Sequence, residues 1–215
     1  MLRTAPGYSM SDEYVFVVDD DADIRDSMRL LLEVAGFKVR NYTSPKQFLD
    51  DDSPKHGCLI ADIRMPDMSG LELQEEVARR HLDLPVIIMT GHGDVPLAVR
   101  AMKAGAVDFL EKPFDDEKML GSVRRALEIS SHARSRKAES RAAKNLLASL
   151  TPRERGVLDK LVQGRSNKVV AYELGISPRT VEIHRAHIMG KMDASSLSDL
   201  VRVVLAAEQG SNGHA

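Results

Sequence analysis

The stretch Cys58-Leu59-Ile60-Ala61-Asp62-Ile63-Arg64-Met65-Pro66 carries an apolar run that ends on one carboxylate and then turns away at Met-Pro. Short apolar runs bounded by turn signals read as buried strands. Two other runs end in charge in the same manner. Tyr14-Val15-Phe16-Val17-Val18 closes on Asp19-Asp20-Asp21, and Val107 to Leu110 leads into Glu111-Lys112-Pro113. In open α/β sheets ligands bind outside the carboxyl ends of the strands, so these groups are expected to meet in one crevice.

Working outward, strand and helix signals alternate. Asp23 to Ala35 has Ile24, Met28, Leu31 and Leu32 at helical spacing, and Gly36 ends it. Lys38 to Tyr42 reads as a second strand. Ser44-Pro45-Lys46-Gln47 is a capping box with Pro at the first helical position. Gly57 to Ile63 is the third strand, and a helix follows Ser69-Gly70 with Leu71, Leu73 and Val77 on one side. Pro85 to Thr90 is the fourth strand, followed by a loose Gly91-His92-Gly93, a helix over Val95 to Ala104, and the fifth strand. A further helix runs from Asp115 at least to Ser130. Five such alternations with short connections predict crossover helices and a doubly wound, five-stranded parallel sheet covered on both faces.

The charge balance divides the chain. Residues 14–131 hold 15 Lys and Arg against 22 Asp and Glu, whereas residues 132–215 hold 14 against 8. This split predicts two domains with different partners behind a flexible leader at 1–13, in which Met10 is a candidate natural start. His132 to Ala148 is rich in Ala, Arg, Lys and Ser and is expected to be a helical linker. From residue 149 the pattern becomes all-α. Thr151-Pro152-Arg153-Glu154 is a capping box, and four short helices follow, broken at Gly164, Gly175 and Ser196. Ile176-Ser177 is the turn of a helix-turn-helix. No apolar run reaches the length of a membrane span, and the single Cys58 lies inside an apolar run, where it reads as core. Both features suit a soluble cytoplasmic protein.

Carboxylates crowded together repel unless a cation joins them, and a hard divalent ion such as Mg²⁺, or Mn²⁺ in its place, fits such donors. The expected chemistry is phosphoryl transfer, which asks for positioning and charge neutralisation. Asp62 is the candidate nucleophile. Asp19, Asp20, Asp62 and the backbone carbonyl of Arg64 are the candidate metal ligands. Lys112 and the Thr90 hydroxyl are placed to stabilise the phosphoryl oxygens. Asp21 reads as a helix cap.

These residues carry a resemblance. Asp19-Asp20, Asp62 with Met65-Pro66 and Gly70, Thr90, and Phe109 before Lys112-Pro113 stand in the order and spacing of a two-component receiver domain. The runs Met89 to Pro96 and Ala106 to Phe114 are similar to the FixJ type in particular. Thr151-Pro-Arg-Glu-Arg, Ser166-Asn-Lys, Leu174-Gly-Ile-Ser-Pro-Arg-Thr-Val-Glu and Lys191-Met resemble the LuxR-type output domain, here residues 149–215. The resemblance implies a flavodoxin-like receiver over residues 14–131 and phosphorylation of Asp62 by a sensor histidine kinase. It also implies a cis Lys112-Pro113 bond, a Thr90–Phe109 switch and dimerisation on phosphorylation. Transcription by RNA polymerase from a double-stranded promoter would then be regulated, for FixJ-type proteins in low-oxygen or nitrogen-fixation programmes.

In the basic domain, Val181, His184, Ile188 and Met192 form the expected inward stripe of the recognition helix. Glu182, Ile183, Arg185 and Ala186 are left for base edges, and Asn167, Lys168, Arg179, Thr180 and Lys191 for phosphates. Leu197, Leu200, Val201 and Val204 on the last helix are either core or a two-fold interface. An alternative enzyme reading, a phosphatase with an aspartate nucleophile, sits poorly with Arg64 two places after Asp62. A third reading, constitutive DNA binding with the receiver as a docking platform, stays open at this point.

Overall fold

The computed structural model describes residues 13–91 and 95–209. Residues 1–12 of the proposed leader, His92-Gly93-Asp94 after the fourth strand and the last six residues therefore lie outside the described residues, whereas Glu13 is described and buried. The chain separates into two compact units, residues 1–133 and 134–215.

The first unit contains five strands in the order β2-β1-β3-β4-β5, every neighbouring pair parallel. They are β1 (Tyr14–Val18), β2 (Lys38–Tyr42), β3 (Gly57–Asp62), β4 (Val86–Thr90) and β5 (Asp108–Glu111). The fifth strand is shifted one residue toward the C-terminus of its expected place. The five intervening helices are α1 (Ala22–Val34), α2 (Pro45–Asp50), α3 (Gly70–Arg79), α4 (Val95–Lys103) and α5 (Asp116–Ala148). The helix begun at Asp116 thus carries through the Ala/Arg/Lys-rich stretch.

Side chains along a strand point alternately to opposite faces. Phe16, Val18, Leu59, Ala61 and Ile88 fall in one buried cluster with Phe48, Leu71, Leu73, Val77 and Ala101 from α2, α3 and α4. Val15, Val17, Cys58, Ile60, Ile87 and Met89 fall in the other with Met28 and Leu32 of α1 and Met119 and Val123 of α5. Both faces are therefore dry, which explains why the strands read as continuous apolar runs. Cys58 is fully buried, and burial pushes its thiol well above the ordinary range, as suits a core residue.

The register places the chemistry. Val18 pairs with Ala61, so Asp19 and Asp62 leave adjacent strands side by side. Thr90 pairs with Glu111, which brings Lys112 to the same edge. The strand order reverses between β1 and β3, the point where open α/β sheets form their crevice.

The second unit is all-α: α6 (Pro152–Val162), α7 (Asn167–Leu174), α8 (Pro178–Lys191) and α9 (Leu197–Gln209). Val157, Leu158, Leu161, Val170, Val181, Ile188, Met192 and Leu200 make its core. Gly175 ends α7 in the left-handed conformation at φ 64°, and Ser177 caps α8 by accepting from the Thr180 amide. That is the helix-turn-helix expected from Ile176-Ser177. One expectation is corrected here. Leu200 is fully buried in the domain core, so it has no surface to offer a second copy. The other residues of that stripe keep some exposure, Leu197 at 36%, and Leu205 on the same helix is 51% exposed.

Glycine geometry yields a test. Gly57 has φ 135°, and a Cβ there would come within 1.8 Å of the Tyr14 carbonyl oxygen. Gly121 lies in α5 with open space around it. Gly57→Ala is expected to lower the stability of the full chain by more than about 2 kcal/mol, and Gly121→Ala to raise it by roughly 0.5–1 kcal/mol, both read by urea unfolding.

Candidate functional site

At the C-terminal edge of the sheet, Lys112 joins two buried carboxylates. Its Nζ donates to Asp19 Oδ2 at 2.7 Å and to Asp62 Oδ1 at 2.6 Å. Asp62 Oδ2 accepts from the Arg64 backbone N–H at 2.6 Å, and Asp19 Oδ1 from the Asp21 N–H at 2.9 Å. Each carboxylate is thus held at both oxygens. Lys112 is itself fixed by its backbone, whose N–H donates to the Thr90 carbonyl at 2.7 Å, and the Lys112-Pro113 bond is cis. Thr90 is fully buried at the end of β4.

The electrostatics follow from burial. Asp19 titrates above the ordinary aspartate range because desolvation outweighs the Lys112 hydrogen bond and the Asp21 amide, with the Asp62 charge pushing the same way. For Lys112, burial alone would lower the ammonium, but the hydrogen bonds to Asp19 and Asp62 more than offset it and leave its pKa raised. One cation balances two carboxylates, so the crevice retains excess negative charge.

Asp20 follows Asp19 and is exposed, while Asp21 caps α1 by accepting from the Asp23 and Ile24 amides. No cluster of three or more His, Cys, Asp or Glu side chains is gathered as a metal cage among the described residues. Mg²⁺ needs no such cage, since it is commonly held by one or two carboxylates, with water and phosphate oxygens completing the shell. The all-oxygen donors around Asp19 and Asp62, with their uncompensated charge, fit a hard divalent cation.

Two further residues support this arrangement, and Arg25 was not singled out from sequence. Gly70 opens α3 directly against the phosphoacceptor candidate: a Cβ there would lie 2.2 Å from the Asp62 carbonyl oxygen. Arg25 on α1 donates to the Asp19 carbonyl at 2.7 Å and ties down the acidic loop. Gly70 was visible only as part of a spacing pattern, and Arg25 as one polar residue among many on α1. Phe109 is partly buried and packs against the cluster on the α3–α4 face. Beside Lys112 lies a groove of about 510 Å³, lined by Ile24, Met28, Leu30, Leu31, Val34 and Phe114 among others. Leu30 is 66% and Val34 80% exposed.

In the second unit, Lys168, Arg179, Glu182, Ile183 and Ala186 are exposed, and Asn167, Thr180 and Arg185 are partly so. Thr180 shares a 2.8 Å contact with Ser177 Oγ in the α8 cap. Lys191 is committed to the domain itself: its ammonium donates to Glu154 Oε2 at 2.7 Å and approaches the Ser149 carbonyl at 3.4 Å. It therefore stands as a structural cation more than as a phosphate contact. Glu154 also closes the Thr151 capping box, so one buried carboxylate anchors the start of α6 to the end of α8. His184 is partly buried on the inward side of α8 as expected, with its Nδ1 lacking a partner.

With this geometry in hand, comparison with known proteins is decisive. Residues 15–124 match the response regulator receiver domain family, and residues 148–204 match the bacterial regulatory proteins of the luxR family. The transcriptional regulatory protein FixJ of Azorhizobium caulinodans is 52% identical over 195 residues, covering 90% of this chain and 92% of the relative. The chain belongs to the FixJ-like response regulators.

The response regulator protein TodT of Pseudomonas putida is 43% identical over 197 residues, covering 90% of this regulator and 87% of TodT. Among solved structures, the response regulator StyR superposes with a TM-score of 0.82 at 43% identity, covering 90% of this chain and 98% of StyR. Full-length FixJ from B. japonicum gives 0.57 at 45% identity, covering 92% and 98%. The receiver and LuxR-type assignments thus stand, with a helix-turn-helix as the regulator's DNA-binding output. No described helix is long and apolar enough to cross a membrane.

Glu154 offers a pH test. Its carboxyl is held down at about 2, first by Lys191 and then by the Thr151 amide, against an ordinary 4.5. A depressed carboxylate contributes stability above its unfolded pKa and loses it as pH falls through the folded one. The second unit should therefore weaken between pH 4.5 and about 2, and Glu154→Gln should flatten that dependence, followed by the methyl NMR signals of Val157, Leu158 and Leu161.

Proposed function

We propose that this regulator is a phosphorylation-switched transcription factor, with Asp62 as the residue that carries the phosphoryl group. The single observation supporting this is the triad of Asp19, Lys112 and Asp62 at the sheet edge, with Lys112 within 2.7 Å of both carboxylates. A carboxylate oxygen of Asp62 attacks the phosphorus of a phosphohistidine on a partner histidine kinase, the P–N bond breaks, and the imidazole nitrogen leaves with the electron pair. Asp62 receives the group and turns over no external substrate.

Asp19, Asp20, Asp62 and the Arg64 carbonyl are the groups that would hold Mg²⁺ or Mn²⁺. Bound there, the ion supplies neutralisation of the developing phosphoryl charge. Lys112 contributes the second positive charge at the phosphoryl oxygens, and the Thr90 hydroxyl donates to one of them. Phe109, partly buried, follows Thr90 inward and reports the phosphorylated state on the α4–β5–α5 face. Such coupling requires that the phosphoryl group interact better with one conformer than with the other. The apolar groove, which Lys112 lines while bonding Asp62, supports a seat for the kinase beside the phosphoacceptor.

Phosphorylation then promotes a homodimer that places two α8 helices on paired half-sites of promoter DNA and engages RNA polymerase. Arg185 and Glu182 read base edges with Ile183 and Ala186 beside them, while Lys168, Arg179, Asn167 and Thr180 hold phosphates. Leu197, Val201 and Val204 contribute to the output-domain contact. The reading places the regulator in the cytoplasm, and its likeness to FixJ supports low-oxygen or nitrogen-fixation genes as targets.

The direct test incubates the full chain with a small phosphodonor and Mg²⁺ and reads intact mass. Wild type is expected to gain one phosphate and Asp62→Asn none. Equal uptake by both removes Asp62 from the role.

A further inference from the structure

Gln74 is an anomaly in the core of the receiver. It lies on α3, 3% exposed, on the sheet face packed with Leu71, Leu73, Val77, Leu84 and Ala101. Its Nε2 donates to the Ala101 carbonyl of α4 at 3.2 Å. That carbonyl already accepts from the Ala106 amide at 3.0 Å. A carbonyl can only accept, so the amide nitrogen must face it, and the orientation of the side chain is settled by its partner. The other end of the amide, Oε1, is buried with no donor among the described residues.

Such a side chain is poor packing material. A buried acceptor without a donor costs more than one long hydrogen bond returns, whereas an apolar residue of the same shape would be neutral or stabilising. What Gln74 does provide is a buried polar tether between α3 and α4 within an apolar cluster, apart from the attraction between Glu72 and Arg100 at the surface. The outer face of α4 has little to hold it either, since Val95 is 76%, Val99 45% and Met102 49% exposed. A helix seat whose buried polar contact is a long hydrogen bond beside a stranded oxygen is left at low cost, and mobile elements are drawn from the low-stability end of a fold.

We propose that Gln74 is a positioning residue for the switch, keeping the resting seat of α4 shallow so that phosphorylation can move it. This rests on the phosphoacceptor reading of Asp62 for the signal that does the moving. In the resting protein the tether defines where α4 sits. Once α4 shifts, the Ala101 contact breaks and the amide is released to find water or a new partner.

The test compares the full chain with Gln74→Met, which keeps the length of the side chain without the amide, and with Gln74→Leu as a second apolar variant. Amide hydrogen exchange is followed over α4, with and without a small phosphodonor and Mg²⁺. Both variants are expected to slow resting-state exchange in α4 about fivefold. They should also blunt the response of α4 to phosphodonor while leaving α1 unchanged. Unchanged or faster resting exchange in α4 of both variants overturns the proposal. Intact mass on the same samples reads phosphate uptake, which bears on Asp62 alone, so failure there is distinguishable from failure of the Gln74 proposal.

Discussion

The geometry of the first unit depends on one ammonium shared by two buried carboxylates. Asp19 and Asp62 leave adjacent parallel strands side by side, where like charges repel unless an opposing group joins them. Lys112 supplies it, and its own place is set by the β4–β5 pairing and by the Thr90 carbonyl. One ammonium cannot neutralise two carboxylates, and burial, with a smaller push from the Asp62 charge, holds the Asp19 pKa above the ordinary range. An incompletely compensated acidic crevice is a binding site for positive charge, and with a cation in place it becomes tolerant of a phosphoryl group.

Close backbone approach around that crevice limits what the chain can place there. Gly70 has to be glycine because α3 starts against the Asp62 carbonyl. Arg25 reaches back from α1 to the Asp19 carbonyl, so the acidic loop is held from the helix that follows it. Away from the crevice, the α3–α4 contact contains a buried polar tether at Gln74, and the outer face of α4 carries exposed apolar side chains. A phosphorylation switch needs a fixed site and an element with two positions whose balance the phosphoryl group can bias.

Much of this was legible in the sequence, and for a simple reason. Strands buried on both faces appear as unbroken apolar runs, so the charged residues ending them stood out, and Asp19, Asp62, Thr90 and Lys112 all came to one edge of the sheet. Asp21 as a cap, Cys58 as core and the capping box at Thr151 rest on local spacing, whereas at Ser44 the cap forms but Gln47 reaches back to Thr43 and leaves the expected box half made. Long-range partners left no such mark. Nothing near Lys191 in the sequence points to Glu154, and nothing near Gln74 points to Ala101. Leu200 on α9 went unresolved for another reason. Helical spacing groups Leu197, Leu200, Val201 and Val204 but does not tell which of them faces the domain core, and Leu200 does.

The shared-cation arrangement is tested most directly by carboxyl ¹³C NMR of Asp19 across pH in wild type and Lys112→Met. Burial already holds Asp19 above the ordinary aspartate range, with the Lys112 hydrogen bond opposing that effect. Removing the ammonium should therefore raise the Asp19 midpoint further. An Asp19 titration unchanged in Lys112→Met would contradict the account.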